Sequence, residues 1–196
     1  EGTRATPGAP VPVALAAAPG AAFSAAKPGE PVWDGYTCCN LRTDGRWISD
    51  INYAESGKRV IPAGTPVKIT GYGRQRVYLE IDGGRQELGN DYSREMDLVG
   101  FARRYVVADD PKARLAGYPE PIQRAIRSAR VSVGMTREQV LMAVGYPVTS
   151  ENPNLDAGFW RFWIDSFNEF QVMFGPDERV SEIAADRITR NRVVAE

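Results

Sequence analysis

The side chains that could do chemistry in this chain are two adjacent cysteines, a few paired carboxylates and a run of arginines. Cys38 and Cys39 are its only cysteines. As neighbours on a strand they would point to opposite faces, and a bond between them would need a strained local geometry. Two buried free thiols, or one bond to a partner chain, are therefore expected. No C-x-x-C spacing exists that would mark a redox or metal site. Histidine is absent, which removes the commonest general base and the commonest zinc ligand together. Serine nucleophiles thus have no imidazole partner, and Lys27, Lys58, Lys68 and Lys112 fall in unrelated contexts.

The paired acids Asp109-Asp110 and Asp177-Glu178 sit in turn-like or helix-end sequence, where solvated carboxylates are the norm. The stretch "GYGRQR" (71–76) carries glycines but precedes no helix, so it is no phosphate loop. The stretch "NDYSRE" (90–95) reads as an Asx-rich helix entry. From Gly100 to Arg130 the bases are Arg103, Arg104, Lys112, Arg114, Arg124, Arg127 and Arg130, against Asp109, Asp110 and Glu120. Such a run would favour phosphates, but no nucleic-acid motif accompanies it and the whole chain carries a net charge of −1. The expectation is a protein without catalytic residues, cofactor, metal or nucleic-acid partner.

The aromatic stretch "FWRFWI" (159–164) is the most informative candidate. On a strand, Phe159, Arg161 and Trp163 face one way and Trp160, Phe162 and Ile164 the other. A sheet covered on one side should be polar on the other, yet both faces here carry large aromatics. One reading is a second covering element; the other is an exposed patch for a partner. Trp160, Phe162 and Trp163 are the candidate partner-binding residues, with the N-terminal arm as a second contact.

Four segments must position these groups. Residues 1–31 are rich in Ala, Pro and Gly and read as an extended arm or linker, with "SAAK" resembling a signal-cleavage sequence. Its apolar run is broken by Pro12, Pro19 and Gly20 and is too short to span a bilayer. An arm of this composition needs something to hold it, either a partner or the chain's own body. Residues 32–92 alternate with period two, as in Val67, Ile69 and Gly71 and again in Val77, Leu79 and Ile81, with tight turns at 73–75 and 82–84. That pattern predicts a small SH3-like β module.

Residues 93–130 read as a helical connector. Its first helix, over 93–106, would be capped by Ser93 and stopped by Asp109-Asp110-Pro111, and its second would start at Pro121. In 131–196, Thr136 and Gln139 form a capping box and Gly145 with Pro147 ends the helix. Strands over 159–164, 169–174 and 179–184 follow. The fold class is α+β, with helices packed on a three-stranded antiparallel meander.

The motif Gly134-Met135-Thr136-x-x-x-Val140, Gly145-x-Pro147, an aromatic strand and "VMFGPDERVSEI" (172–183) resembles the SmpA/OmlA domain, also called BamE-like. The likeness covers about Val131 to Ala185. It implies a small, non-enzymatic α+β domain of the bacterial envelope, usually lipid-anchored through an N-terminal cysteine that this sequence does not display. Members of that family support the outer-membrane protein insertion machine, and related folds include a secreted inhibitor of β-lactamases. "NLRTDGRWISD" (40–50) and "IPAGTPVKI" (61–69) resemble bacterial SH3-like modules. The implied role is a binding or scaffolding subunit in the periplasm or on the periplasmic face of the outer membrane. The alternatives are a periplasmic or secreted inhibitor and a cell-wall-binding module.

Overall fold

A computed structural model describes residues 25–196. Most of the predicted arm, and with it the proposed arm contact, lies outside the described residues. The end that is described runs along the chain's own body. The Ala26 N–H donates to the Thr70 carbonyl at 3.1 Å, and the Ile69 N–H to that of Trp33 at 3.0 Å. The Tyr72 hydroxyl donates to the Pro31 carbonyl.

The first module holds seven short strands: β1 (Asp34–Thr37), β2 (Leu41–Thr43), β3 (Trp47–Ser49), β4 (Arg59–Ile61), β5 (Pro66–Gly73), β6 (Arg76–Ile81) and β7 (Gly84–Gly89). With β8 (Val106–Val107) most of them form a sheet in the order β3-β7-β6-β5-β1-β8, while β2 pairs with β4. The expected alternation holds: Val67, Ile69, Val77, Leu79, Ile81 and Leu88 point inward and are buried.

Helix α1 (Leu98–Tyr105) closes this core with Phe101, Ala102 and Tyr105. Its cap is Asp97, not Ser93: the Asp97 carboxylate accepts the Gly100 N–H at 2.8 Å. Ser93 instead accepts the Thr149 N–H from across the molecule. The acids expected only to stop α1 also start another helix, since Asp110 caps α2 (Pro111–Ala116) by accepting the Lys112 N–H.

Helices α3 (Glu120–Arg127), α4 (Arg137–Val144) and α5 (Arg187–Val193) build a second core with the meander β9 (Phe159–Trp163), β10 (Glu169–Phe174) and β11 (Val180–Ala184). The α4 capping box is complete: the Thr136 N–H donates to Gln139 Oε1 and the Gln139 N–H to Thr136 Oγ1. Gly145 ends α4 at φ +87°, a conformation that favours glycine. Helix α5, absent from the sequence reading, starts where Asp186 accepts the Ile188 and Thr189 N–H groups. The connector is split between cores: α1 belongs to the first, while Leu115 of α2 and Ala125 and Ile126 of α3 belong to the second.

The two cores are joined by buried polar groups. The Asn40 amide donates to the Ile126 and Ala143 carbonyls at 2.6 and 3.0 Å, and its oxygen accepts the Ala63 N–H. It thereby satisfies the Ala143 carbonyl near the end of α4 and gives the Ile126 carbonyl of α3, which already accepts the Ala129 N–H, a second donor. Asn52, at φ +55°, donates to the Asn40 and Val144 carbonyls and accepts the Arg42 N–H. Asparagine suits that place twice: it tolerates positive φ and offers both a donor and an acceptor.

Asp50 forms the third link. It accepts N–H bonds from Asp91 and Tyr92, while the Tyr92 carbonyl accepts the Ser150 N–H.

Cys38 and Cys39 are bonded to each other, contrary to the free thiols or partner bond expected. They occupy the bend between β1 and β2, not a strand, so the opposite-face argument does not apply to them.

Candidate functional site

The meander runs in the order β11-β10-β9, all antiparallel. Its inner face is filled by Trp160, Phe162, Ile164, Phe170, Val172 and Ile183, all within the second core. Trp160 meets Phe174 edge-on at 4.8 Å between ring centres, and Phe162 stacks on Phe170 at 5.1 Å. The Trp160 indole also donates to the Leu155 carbonyl, so its one polar atom is paired.

The outer face follows from the strand register. Phe159 pairs with Met173, Arg161 with Gln171, and Trp163 with Glu169. Glu182 and Ala184 of β11 continue two of these rows. None of the apolar outer side chains, Phe159, Trp163, Met173 and Ala184, belongs to the second core or to the apolar residues packed against it. Phe159 is 49% exposed. The Trp163 indole donates to Glu151 at 2.6 Å, and Arg161 lies 2.8 Å from Glu169 across the strands. These contacts hold the side chains in defined positions, so the face is ordered before anything binds.

The rim is equally well fixed. Asn152 pairs with the edge of β9 through both of its amide atoms, donating to the Arg161 carbonyl and accepting the Arg161 N–H. At the β9–β10 turn, Asp165 accepts the Phe167 and Asn168 N–H groups. Hydrogen bonds from Asn168 and Phe167 hold the Asp165 carboxyl below the usual carboxylate range. This turn presents Phe167 at 90% exposure, the most exposed of the large apolar side chains among the described residues.

Of the predicted trio, Trp160 and Phe162 are core residues at 1% and 7% exposure, so they cannot touch a partner directly. Trp163 lies on the outer face. The alternation of "FWRFWI" is as expected; the outward set is Phe159, Arg161 and half-buried Trp163, with half-buried Met173 beside them on β10 and exposed Phe167 at the turn. Phe159 was legible in the alternation. Phe167 carried only a weak signal, an aromatic inside an Asp-x-x-Asn turn.

The other chemistry candidates have structural partners. Asp177 accepts the Arg179 N–H. Glu178 pairs with Arg137 at 2.8 Å, and the Arg137 guanidinium lies over the Trp160 and Phe174 rings. The connector arginines are dispersed: Arg114 pairs with Glu138, Arg124 with Glu120, and Arg104 lies over Tyr146. Asp91, in the Asx-rich stretch, pairs with Arg76 at 3.1 Å.

Asp50 is the unusual titratable group. It is 2% exposed, and its hydrogen-bonding neighbours are Asp91, Tyr92, Ser49 and Ser93. Burial pushes its carboxyl up to about 6, against the lowering effect of the Tyr92 N–H and with a further push from Asp91. Burial raises the Tyr105 hydroxyl as well, with the nearby Asp50 charge adding to it.

Among the described residues no group of three or more His, Cys, Asp or Glu could hold a metal ion. No helix among them is long and apolar enough to cross a membrane. No family model, curated protein or solved structure matches this chain.

Proposed function

We propose that this chain is a non-catalytic binding or scaffolding subunit of a bacterial envelope assembly, and that its protein partner docks on the outer face of the meander. One observation carries the reading: Phe159, Trp163 and Met173 line a sheet face that no core element covers, although the opposite face is already filled with aromatics. Ordered apolar area at a fixed sheet surface is the usual makeup of a contact site. Prior ordering also lowers the entropic cost of association.

The envelope setting rests on the SmpA/OmlA resemblance, which the capped α4 followed by a three-stranded meander supports. The SH3-like reading of the first module is supported by its short strands, tight turns and curled sheet. A periplasmic location goes with the same resemblance.

The test is site-specific photo-crosslinking in native envelope membranes. A benzophenone side chain at position 159 should yield one discrete protein adduct. The same group at Glu80, exposed on the first module, should yield none. The Phe159→Ser/Trp163→Ser double variant should keep its circular dichroism and lose the complex. Adducts from position 80 and none from 159 would move the contact to the first module and sink this reading.

A further inference from the structure

We propose that the Cys38–Cys39 bond is a thiol-exchange site, opened by a dithiol reductant through the cleft between the first module and α4, and that opening it weakens the hold of Asn40 on the junction. This inference does not depend on the partner-binding reading.

The bond has no value as a staple. Disulfide stabilisation grows with the length of chain enclosed, because it comes largely from restricting the unfolded state. These cysteines are one residue apart in sequence, so their bond removes almost no freedom from the unfolded chain. Its consequences must be local to the folded protein.

The location supplies those consequences. The disulfide lines a cleft of about 160 Å³, together with Arg114, Glu138, Met142 and Tyr146. Cys39 is fully buried, while Cys38 is partly exposed, and both residues line the cleft. Backbone bonds flank the pair, one within the first core and one crossing to the second. The Cys38 N–H donates to the Tyr105 carbonyl at 2.9 Å, and the Asn40 N–H to the Met142 carbonyl at 3.0 Å. Asn40, next in the chain, then makes three of the side-chain bonds at the junction of the cores.

The exchange balances as two substitutions. A thiolate of the dithiol attacks Cys38 Sγ, the Sγ–Sγ bond breaks, and Cys39 leaves as a thiolate that takes a proton from water. The second sulfur of the reductant, as thiolate, then displaces Cys38. The reductant is oxidised to its own disulfide and the cysteines gain two electrons and two protons. Two thiols cannot remain as close as two bonded sulfurs, so the pair must separate. Cys39 is fully buried, and its displacement is passed along the backbone to the adjoining Asn40.

The experiment uses the full chain, oxidised and then treated with dithiothreitol under native conditions. Iodoacetamide labelling with mass spectrometry should find no free thiol before treatment and two after. Hydrogen exchange should become about tenfold faster at the Asn40 amide in the reduced protein, reflecting local opening. A Cys38→Ser/Cys39→Ser variant should exchange at the reduced rate with or without reductant. Free thiols in the oxidised sample would overturn the proposal, as would a bond that dithiothreitol reaches only in denaturant. Unchanged exchange at Asn40 after reduction would overturn the coupling, and needs only the wild-type chain.

Discussion

The junction between the two cores and the outer face of the meander break the ordinary partition of residues in opposite directions. At the junction, Asn40, Asp50 and Asn52 are polar and are 3%, 2% and 8% exposed. On the meander, Phe159 and Phe167 are apolar and are 49% and 90% exposed. The junction is stable because each asparagine finds backbone partners of fixed geometry, among them the Ala143 and Val144 carbonyls at the end of α4. The meander face has no such internal compensation. Buried polarity here is matched within the chain among elements distant in sequence, whereas the exposed apolar area is not covered by any core element.

That contrast can be broken most severely at Asn40. Asn40→Leu keeps the approximate volume but strands the Ala63 N–H and removes the donor to the Ile126 and Ala143 carbonyls. Each buried group left unpaired costs ~1–3 kcal/mol. With the Ala63 N–H and the Ala143 carbonyl both left unpaired, the variant should lose ~2–6 kcal/mol in a urea titration. A loss below ~1 kcal/mol would show that the junction tolerates apolar replacement and that its hydrogen bonds are not what joins the cores.

Asp50 sharpens the comparison within the junction, because its polarity depends on pH. Its folded value, about 6, lies above the ordinary 3.8. The folded state therefore holds the proton more tightly, and the group's contribution to stability is greatest below about pH 4 and declines as pH rises through 6. Converted at ~1.4 kcal/mol per unit, the full decline is on the order of 3 kcal/mol. Asp44, Glu95, Asp165 and Asp186 are shifted downward, so their contributions run the other way and fade as pH falls toward their lowered values. Unfolding free energy measured from pH 5 to 7 should fall in the wild type and stay nearly flat in Asp50→Asn. Parallel profiles for the two proteins would remove Asp50 as the source.

The smallest effect belongs on the outer face. Phe159→Ser should change stability by no more than ~0.5 kcal/mol, as for surface positions without a structural role. Trp160→Ala, its neighbour facing inward, should cost ~3–5 kcal/mol. The ratio of these two effects, read from melting curves of both variants, measures how different the two faces of β9 are. Comparable losses would mean that Phe159 is packed after all.

The sequence by itself determined the features written in short-range chemistry. The α4 ends are legible because Thr136, Gln139 and Gly145 act on backbone groups within one turn of themselves. The meander is legible because strand period and turn residues lie within a few positions of each other. The first module's β5, β6 and β7 follow the same logic, as do the opposing faces of Trp160 and Trp163. Helix α5 escaped because Asp186 and seven helical residues make too short and too polar a pattern to stand out.

Tertiary structure alone decided which face of β9 is covered, since alternation names two sets of side chains but cannot say which one meets the helices. It alone decided that Ser93 serves Thr149 rather than α1, because a hydroxyl bonds whichever donor the fold brings near. It also decided that Cys38 and Cys39 sit in a bend where they bond to each other, and that Asn40 and Asn52 reach carbonyls about ninety to a hundred residues away in the chain. A hydrogen bond across that separation leaves no local pattern for a sequence to display.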